Sequence, residues 1–503
     1  MTLTSTDPNT KESASPIEAE QDLTDLVVGT ETEVPVLQGG SRRYVNLDNA
    51  ASTPPFKAVL QAVTEFSTWY SSVHRGTGFK SVLSTEAYEA ARRAVMGFVG
   101  ADPEHQVAVF TRHTTEAINL VAHKLATSPE DVVLTTELEH HANLLPWRRG
   151  HRLDYVRVDE WGRLDEDDLV AKLRRPAGRV RLLALSGASN VSGYLPDLPR
   201  IAALAHQAGA MVLVDAAQLV AHRRLEVGPA GSPEHLDFVA FSAHKMYAPF
   251  GSGALVGPRA FFESAPPMLA GGGAVEIVTL EDTLWSGSPE RDEAGSPNVI
   301  GVVALGVACR VLQEIGFARI AEHERRLAAY ALQRLGQIEG LSLLGAPAGS
   351  PPGDRIGVIS FNLEGHPHQR VAAALGYEHA VGVRAGCFCA HPYMLRLLGV
   401  AEGEAREIRA AIQRGDRSVI PGAVRMSLGI YNTHADVERA VDGLQAIAAG
   451  EFHRPYELDR STGEYIPRGA ALDFGPYLPA ALGPLAAAGR SERMHGACGG
   501  LPS

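Results

Sequence analysis

Short apolar runs alternate with polar turns and helical stretches between Tyr44 and Asn298. Each run is short enough for a strand that is buried on both faces. The predicted strands are Val107–Thr111, Val132–Thr136, Leu182–Ser186, Met211–Asp215 and Phe238–Ser242, and the predicted helices include Thr115–Ala126 and Leu198–Ala208. This alternation predicts an α/β fold with a large, mostly parallel sheet covered by helices, and with ligands at the carboxyl ends of its strands.

The pattern changes after Asn298. A long helical run over 299–338 leads to elements around Gly357–Asn362 and Gly382, and a closing helix is predicted from His434 to Ala449. A smaller α+β C-terminal domain is therefore predicted after the large one. We divide the chain into a disordered N-terminal segment (1–25), a large domain (26–310), a small domain (311–450) and an irregular tail (451–503), with folding expected to begin near Tyr44.

Composition limits the kinds of partner. The chain has 503 residues and a formal net charge of −12, so it offers no basic field to attract nucleic acid or an anionic membrane. The N-terminal segment lacks the features of a signal peptide, and no stretch is apolar enough to span a bilayer. We therefore expect a cytoplasmic protein. The four cysteines, Cys309, Cys387, Cys389 and Cys498, are too few for a disulfide framework and stay free for chemistry.

Lys245 and Asp215 are the first candidates for chemistry. Lys245 follows the predicted strand that ends at Ser242, which places its amine at the functional edge of the sheet. The other lysines, Lys11, Lys57, Lys80, Lys124 and Lys172, fit a surface location, which is also the ordinary interpretation of Lys245. Asp215 closes the preceding strand. A carboxylate there can pair with a protonated pyridine nitrogen, although polar residues also commonly end strands.

Three further polar groups follow predicted strand ends. Thr114 and Thr115 open a helix, where hydroxyl and backbone N–H groups either bind phosphate or simply cap the helix. His140 can stack on an aromatic cofactor or transfer protons. The adjacent His141 raises the alternative of a metal, but no cysteine and histidine cluster lies nearby in the sequence, so no metal site is predicted. Asn190 offers its amide to a ring hydroxyl.

Nine short segments occur in the order found in one enzyme family. They are Leu47–Ala51, His74–Gly76, Thr114–Glu116, Glu139–Trp147, Ser189–Gly193, Asp215–Gln218, Ser242–Lys245, Glu293–Asn298 and Arg425–Leu428. Any one could arise by chance, but nine in order make coincidence implausible. From Tyr44 to Ala449 the chain resembles the fold-type I pyridoxal 5′-phosphate (PLP) enzymes of the class V aminotransferase group, most closely the cysteine desulfurase and selenocysteine lyase branch.

The resemblance implies a role for each matched residue. Lys245 would carry PLP as a Schiff base and shuttle protons, and His140 would stack on the ring beside it. Further cofactor contacts would come from Thr114, Thr115, Asn190, Asp215, Gln218, Ser242 and His244, with Ser296 reaching in from the second subunit of a homodimer. Asn190, Arg425 and Arg384 would bind the amino-acid substrate, because a guanidinium group holds a carboxylate in a two-pronged fork.

Cysteine chemistry distinguishes the activities within this branch. Cys389 matches the nucleophile that takes sulfur from L-cysteine as a persulfide and releases L-alanine, and a nearby cation would favour its thiolate. A buried, unreactive cysteine is the alternative. The resemblance implies a cysteine desulfurase that passes sulfur to an acceptor protein. Another class V enzyme (a selenocysteine lyase, C–S β-lyase, epimerase or aminotransferase) and an inactive sulfur-transfer partner stay open.

Three features depart from simple bacterial desulfurases. Cys387 stands where these enzymes usually have a histidine, and the Cys-Phe-Cys sequence resembles molybdenum cofactor sulfurases, so Cys387 is either a resolving thiol or merely a neighbour. An insertion over about 401–422 contains a predicted charged helix, Glu404–Arg414, that could reshape the substrate entrance. His113 takes a position usually filled by glycine or asparagine beside the phosphate-binding threonines.

Overall fold

The secondary structure is that of an α/β protein with a second, smaller sheet. The computed structural model of the chain describes residues 23–159, 161–174, 179–345, 355–470, 473–480 and 482. Its strands are β1 (Glu33–Pro35), β2 (Ser41–Arg43), β3 (Val45–Asn46), β4 (Gln106–Thr111), β5 (Val132–Thr136), β6 (Arg152–Val156), β7 (Val180–Ser186), β8 (Met211–Asp215), β9 (Phe238–Ser242), β10 (Gly253–Pro258), β11 (Val275–Val278), β12 (Thr283–Trp285), β13 (Leu341–Leu344), β14 (Val358–Leu363), β15 (Val381–Gly382), β16 (Arg384–Gly386), β17 (Ala423–Ser427), β18 (Tyr456–Asp459) and β19 (Glu464–Pro467). Its α-helices are α1 (Lys57–Ser67), α2 (Phe79–Phe98), α3 (Thr114–Lys124), α4 (Glu166–Leu173), α5 (Leu198–Gln207), α6 (Arg259–Glu263), α7 (Val299–Ile315), α8 (Phe317–Leu335), α9 (His368–His379), α10 (His391–Leu397), α11 (Glu402–Gln413) and α12 (His434–Ala448).

The large sheet has seven strands in the order β4-β10-β9-β8-β7-β5-β6. β10 runs antiparallel to both of its neighbours, and all other adjacent strands in this sheet are parallel. The predicted mostly parallel sheet is therefore confirmed. Three strands have the bounds that the apolar runs predict, and β5 and β9 are buried along their whole length. Because parallel strands end at one edge, the residues that follow β5, β7, β8 and β9 are brought together there.

The smaller sheet has four strands in the order β13-β14-β17-β16, all antiparallel. Residues from α9 and α12 pack with it around a second core, which includes Leu375, Met426 and Val441. Val45 and Leu47 belong to this core, although they lie far earlier in the chain. The predicted division between the large and small domains at residues 310 and 311 stays a prediction.

The long helical run after Asn298 is two helices. The axes of α7 and α8 differ by 76°, and the break falls at Gly316, whose φ of +87° is readily adopted only by glycine. By length and composition this bent pair could pass for a broken membrane span, whereas no single helix among the described residues is long and apolar enough to cross a bilayer.

Ordered structure begins earlier than expected. Leu23 and Val27 are buried, and the Thr24 hydroxyl donates a 2.9 Å hydrogen bond to the carbonyl oxygen of Tyr431. The prediction that folding begins near Tyr44, and that disorder extends to residue 25, is therefore wrong, because this segment supplies apolar side chains to the main core. The rest of the predicted disordered segment, 1–22, lies outside the described residues.

The segment after residue 450 is not irregular throughout. Tyr456–Asp459 pairs with Glu464–Pro467 as an antiparallel hairpin, which we call the C-terminal hairpin. It packs on the end of the 401–422 insertion, where the Arg417 backbone N–H donates to the Arg460 carbonyl at 2.8 Å and the Arg417 guanidinium to the Ser461 carbonyl at 3.0 Å. The prediction of an irregular tail is wrong for this hairpin, whereas residues 471–472, 481 and 483–503 lie outside the described part. The helix predicted within the insertion is confirmed as α11.

Lys124 is not the surface lysine that its helical pattern indicates. Its side chain is fully buried, forms a 3.1 Å ion pair with Asp292, and donates to the carbonyl oxygens of Phe262 and Ala265 at 2.7 and 2.9 Å. Burial lowers the pKa of this amine, and the Asp292 carboxylate opposes that change. The buried amine ties α3 to the end of α6 and to the segment that follows, so its role is structural.

Candidate active site

A cavity of about 1220 Å³ lies at the carboxyl ends of the parallel strands. Nearly all of the predicted site residues line it: Thr114, Thr115, His140, Asn190, Asp215, Gln218, Ser242, His244, Lys245, Arg384, Cys389 and Arg425. Ser296 does not line this cavity. It is exposed, and the sequence resemblance placed it at the site of a second subunit. The fold thus gathers residues that are up to several hundred positions apart.

Lys245 lies in a short 3₁₀ turn, Ala243–Lys245, directly after β9. Desolvation lowers the pKa of its amine to about 8, although the Asp215 carboxylate acts in the opposite direction. More of the amine is therefore uncharged near neutral pH than in an ordinary lysine. The uncharged amine is the form that bonds to a carbonyl carbon or accepts a proton.

Asp215 is the acidic counterpart of Lys245 on the cavity wall. It ends β8, its side chain is buried, and its Oδ1 accepts a 3.0 Å hydrogen bond from the Ala217 backbone N–H. Burial raises the pKa of this carboxyl, and Lys245 lowers it. Gln218 is fixed nearby because its amide donates to the Ala50 carbonyl at 2.7 Å.

His140 presents an uncharged ring to the cavity. Its Nδ1 accepts a 3.1 Å hydrogen bond from the Ala142 backbone N–H, so the ring proton sits on Nε2. Burial, together with the charge of Lys245, lowers the pKa of His140 to about 3. A flat, neutral ring of this kind suits stacking on an aromatic ligand, as the sequence predicts.

The N-terminus of α3 opens into the cavity beside β9. The Thr114 backbone N–H donates to the Ser242 hydroxyl at 2.8 Å, and the two hydroxyl oxygens lie 2.7 Å apart. His113, the unusual residue at this point, caps the helix, since its Nδ1 accepts a 3.2 Å hydrogen bond from the Glu116 N–H. Hydroxyl groups at a helix N-terminus suit an anion such as phosphate.

The loop that carries Cys389 is held in an uncommon backbone conformation. Phe388 and Cys389 both have left-handed φ values, +53° and +54°. Two hydrogen bonds of 2.7 Å hold the loop, one from the Asn190 amide to the Phe388 carbonyl and one from the His141 N–H to the Cys389 carbonyl. Non-glycine residues with such φ values cluster at functional sites, and here the result is an exposed thiol facing the cavity.

Cys387 is in a different environment from Cys389. It is 6% exposed, and its thiol donates to the Pro421 carbonyl oxygen at 2.7 Å. Burial raises the pKa of this thiol to about 12. A thiol that stays protonated is a poor nucleophile, so the geometry favours a packing role for Cys387 over that of a resolving thiol.

Arg425 and Arg384 share one carboxylate. Asp48 accepts from Arg425 at 3.0 Å and pairs with Arg384 at 2.8 Å. Arg425 also donates to the Asn190 carbonyl at 3.0 Å, yet its Nε is buried without a hydrogen-bond partner among the described residues. Because a buried unpaired N–H is costly, this atom indicates a missing acceptor, and a substrate carboxylate would supply one.

Glu139 is a supporting residue to which the sequence analysis gave no role. Its carboxylate accepts four hydrogen bonds, from Thr136 at 2.6 Å, from Asn143 at 2.7 Å and from both the N–H and the hydroxyl of Ser186 at 3.0 and 2.7 Å. Burial nevertheless raises its pKa to about 7. These bonds fix the turn that presents His140. The one feature of the sequence that points to Glu139 is its place inside the Glu139–Trp147 segment.

The sequence analysis also missed part of the cavity wall. Residues of the C-terminal hairpin (Thr462, Gly463, Glu464, Tyr465 and Ile466) line the cavity together with Ile412, Arg417 and Ile420 of the insertion. The hairpin turn packs tightly, since a β-carbon at Gly463 would come within 2.9 Å of the Arg417 carbonyl oxygen. The chain's own C-terminal region therefore forms part of the wall of the cavity that holds Cys389.

The cavity fits the cofactor that the sequence resemblance implies. A desolvated amine, a carboxylate and a neutral imidazole surround one space, and hydroxyl groups at a helix N-terminus lie beside it. These are the groups that a carbonyl, a pyridinium, an aromatic ring and a phosphate require, in that order. Lys245, Asp215, His140 and Thr114 would therefore hold pyridoxal 5′-phosphate.

Several known proteins of similar sequence are named cysteine desulfurase. The chain is 38% identical over 422 residues to a cysteine desulfurase of Yersinia pseudotuberculosis serotype O:1b, an alignment that covers 82% of this chain and 95% of that protein. It is also 38% identical over 411 residues to a cysteine desulfurase of Klebsiella pneumoniae, covering 80% of this chain and 92% of the relative.

Solved structures and a family model agree with this similarity. The apo cysteine desulfurase of Thermococcus onnurineus has a TM-score of 0.71 and the Escherichia coli cysteine desulfurase CsdA one of 0.67; each is 32% identical and covers 81% of this chain and 95% of its own. The expected fold-type I architecture is thereby confirmed. The model described as Aminotransferase class-V matches residues 45–440, so the chain belongs to the class-V aminotransferase family, which uses pyridoxal 5′-phosphate.

Proposed function

We propose that this protein is a cysteine desulfurase that converts L-cysteine to L-alanine and retains the sulfur as a persulfide on Cys389. The observation that carries the proposal is that an exposed thiol and a desolvated lysine face the same cavity. The relatives and solved structures named cysteine desulfurase support the choice of L-cysteine over other amino acids.

Substrate binding and proton transfer fall to residues around the cavity floor. Arg425 takes the substrate carboxylate with its unpaired Nε, while Asp48 holds the guanidinium in place. When bound, pyridoxal 5′-phosphate supplies an electron sink that stabilises negative charge at the substrate α-carbon. Lys245 takes the proton from that carbon, because its lowered pKa leaves part of the amine uncharged.

Cys389 performs the sulfur transfer. Its thiolate attacks the substrate sulfur, so that an S–S bond forms as the bond between the substrate β-carbon and sulfur breaks. The electron pair of the broken bond stays with the β-carbon, which gains a proton. Lys245 returns a proton to the α-carbon, and the product leaves as L-alanine. The step needs no external oxidant.

The persulfide sulfur is transferred to an acceptor thiol, which has to reach Cys389 past the C-terminal hairpin. Tyr465 and Ile466 of the hairpin and Arg417 of the insertion line the same cavity as Cys389. An acceptor thiol must therefore reach Cys389 past these side chains. The expectation that this transfer takes place in the cytoplasm stays a prediction from the sequence.

The homodimer expected from the sequence is also part of the proposal. Apolar side chains are exposed near the start of α2, where Phe79 is 75% exposed beside Trp69 and Tyr70, and on the β11–β12 hairpin, at Ile277 and Leu284. Exposed apolar groups of this kind favour an interface. The Gly295 N–H, next to Ser296, donates to the Gly272 carbonyl just before this hairpin, so burying the hairpin would bring Ser296 near a second subunit. Sedimentation velocity tests this, and a monomer at assay concentration would contradict it.

The desulfurase proposal is tested with Cys389→Ala. The PLP-loaded parent is incubated with L-cysteine and a reducing thiol, and L-alanine and sulfide are quantified. We expect the variant to lose at least about 100-fold in both products, because the sulfur has no nucleophile to attack it, while it still binds the cofactor. Undiminished production of both would show another class V activity, such as C–S β-lyase. A panel of other amino acids, selenocysteine included, is assayed alongside.

A further inference from the structure

The cavity that holds Cys389 is larger than the cofactor and one substrate require. Pockets for a single drug-sized ligand have about 300–1,000 Å³, whereas this cavity has about 1220 Å³. Lys245 lines it from the large sheet, and Arg417, Ile420 and residues 462–466 line it from the insertion and the C-terminal hairpin. We call the part formed by Arg417, Ile420 and residues 462–466 the C-terminal wall. The proposed chemistry at Lys245 leaves this wall without a role.

The C-terminal wall adjoins the cysteine loop. The Cys387 thiol donates to the Pro421 carbonyl oxygen at 2.7 Å. Arg417 and Ile420 form a turn just before Pro421, since the Ile420 N–H donates to the Arg417 carbonyl at 3.2 Å. A ligand that binds at this wall therefore lies next to the loop that carries Cys389.

The insertion and the hairpin meet through charged residues, and one of their cations is left without an anion. Asp416 and Arg460 form an ion pair of 3.3 Å across this contact. The neighbouring Arg417 guanidinium donates to the Ser461 carbonyl at 3.0 Å, but no carboxylate among the described residues pairs with it. Arg417 therefore brings an unpaired positive charge to the cavity.

Glu464 is the corresponding unpaired anion. Its carboxylate has no hydrogen-bond or ion-pair partner in the described part of the chain, although the hairpin turn packs against the Arg417 backbone. Burial, followed by the charge of Glu464, raises the pKa of Tyr377 on α9, a residue that also lines the cavity. The charge of Glu464 thus acts on the cavity wall.

The other charged side chains that line the cavity each interact with an opposite charge of the protein: Arg112 with Glu116, Arg384 and Arg425 with Asp48, and Lys245 with Asp215. Arg417 and Glu464 are a cation and an anion on one cavity wall that do not neutralise each other. A ligand with a single charge would satisfy one of them, whereas a zwitterion satisfies both.

We propose that the persulfide acceptor is a small thiol with both a carboxylate and an ammonium group, as amino-acid and short peptide thiols have, bound by Arg417 and Glu464. The guanidinium binds the carboxylate, since the two groups match in shape and charge, and Glu464 binds the ammonium. This assignment of the acceptor rests on the proposed desulfurase activity. It differs from the acceptor protein that the sequence resemblance implies.

Sulfur transfer to such a thiol is balanced without an oxidant. The acceptor thiol loses its proton to solvent, and its thiolate attacks the outer sulfur of the persulfide on Cys389. A new S–S bond forms as the bond between the two persulfide sulfurs breaks, and the electron pair of the broken bond stays on Cys389 as a thiolate. The acceptor leaves as a small persulfide.

Binding is tested with S-methylglutathione, a zwitterionic peptide thioether that cannot accept sulfur. The full-length, PLP-loaded protein is titrated with it in a calorimeter. We expect saturable binding that Arg417→Gln and Glu464→Gln each weaken at least about tenfold, because each change removes a charged hydrogen-bond partner. The matched controls, Arg414→Gln in the insertion and Glu457→Gln in the hairpin, remove exposed charges outside the cavity and should leave the affinity unchanged.

Transfer is tested with thiols of different charge. L-cysteine loads the persulfide, gel filtration removes the excess, and mass spectrometry of the intact protein follows discharge by glutathione, by 3-mercaptopropionate (an anion) and by thiocholine (a cation). Arg417→Gln should slow glutathione and 3-mercaptopropionate at least about tenfold but not thiocholine. Glu464→Gln should slow glutathione and thiocholine but not 3-mercaptopropionate. Equal slowing of all three thiols would show a structural effect and contradict the assignment.

Different results would overturn the acceptor site and the desulfurase activity. A parent that does not bind S-methylglutathione at millimolar concentration, or variants that bind it as tightly as the parent does, would refute the acceptor site and favour an acceptor protein. Normal binding without any persulfide on Cys389 after incubation with L-cysteine would refute the desulfurase activity instead. In that event, inorganic polysulfide loads the persulfide, and the same thiols decide whether the site supports transfer.

Discussion

The side-chain amide of Asn190 donates a 2.7 Å hydrogen bond to the backbone carbonyl of Phe388. Arg425 in turn donates to the carbonyl oxygen of Asn190 at 3.0 Å. One residue at the end of a parallel strand thus links the buried guanidinium to the loop that carries Cys389. The sequence resemblance assigned Asn190 to the cofactor and substrate, and the contacts add a third role, that of positioning the nucleophile.

Asn190→Ala should slow sulfur transfer more than it weakens cofactor binding. The change leaves the Phe388 carbonyl without its donor, which costs roughly 1–3 kcal/mol for a buried group, and it loosens the strained cysteine loop. We expect persulfide formation on Cys389 to slow by at least about tenfold, because the geometry of attack is lost. Rapid-quench mass spectrometry measures the persulfide, and absorbance titration measures cofactor affinity. An equal loss in the rate of persulfide formation and in cofactor affinity would place Asn190 at the cofactor instead.

Cofactor uptake by the apo protein should report the pKa of Lys245. Bonding to the cofactor needs the uncharged amine, whose fraction increases with pH up to the pKa and then levels off. Burial lowers this pKa to about 8, so the uptake rate should rise from pH 6 and level off above about pH 8, whereas an ordinary lysine would continue to rise towards pH 10. Stopped-flow absorbance over this range measures the rate.

Asp215→Asn supplies the directional control for the pH profile. The Asp215 carboxylate raises the pKa of Lys245, so its neutralisation should move the inflection to lower pH even though the bound cofactor loses a partner. An inflection that moves upward, or one that stays in place, would show that Asp215 does not act on the amine.

Many of the site residues at the carboxyl edge of the large sheet are predictable, because their positions follow from the pattern of strands in the sequence. Residues that follow β5, β7, β8 and β9 meet wherever parallel strands end together, so Asp215 and Lys245 could be assigned to one site from strand prediction alone. Asp48 could not, since its pairing with Arg384 and Arg425 joins β16 and β17 of the small sheet to the start of the chain. Only the tertiary fold creates that contact.

The errors also have physical causes. Lys124 occupies an exposed position by helical periodicity. Inside the protein, however, its amine is solvated by the carboxylate of Asp292 and by carbonyl groups at the end of α6 and just after it. The C-terminal hairpin was overlooked because its strands have four residues each, although Ser461-Thr462-Gly463 is a recognisable turn signal between two alternating runs. Its role over the cavity depends on Arg417, which is distant in sequence.

The two cysteines of the loop should differ in reactivity. Cys389 is exposed, while Cys387 is buried with its thiol pKa raised to about 12. At pH 7.5, iodoacetamide should modify Cys389 at least about tenfold faster than Cys387, because the thiolate is the reactive form. Peptide mass spectrometry measures both rates. Cys387→Ala should keep desulfurase activity within about threefold, and a loss as large as that of Cys389→Ala would instead support a resolving thiol.

The C-terminal hairpin should control which thiols and reagents reach Cys389. Tyr465 lines the cavity from the hairpin, and the hairpin lies beyond residue 440, where the match to the family model ends. Tyr465→Ala removes a large side chain from the cavity lining. It leaves in place the hydrogen bonds from Arg417 to the backbone carbonyls of the hairpin. We expect a bulky polyethylene-glycol maleimide to react with Cys389 about tenfold faster, and a small alkylating agent to react at nearly the same rate. Tyr477→Ala, which truncates an exposed tyrosine outside the cavity in the same tail, is the matched control and should change neither rate. Equal acceleration of both reagents by Tyr465→Ala would show that the hairpin orders the cysteine loop rather than screening it by size.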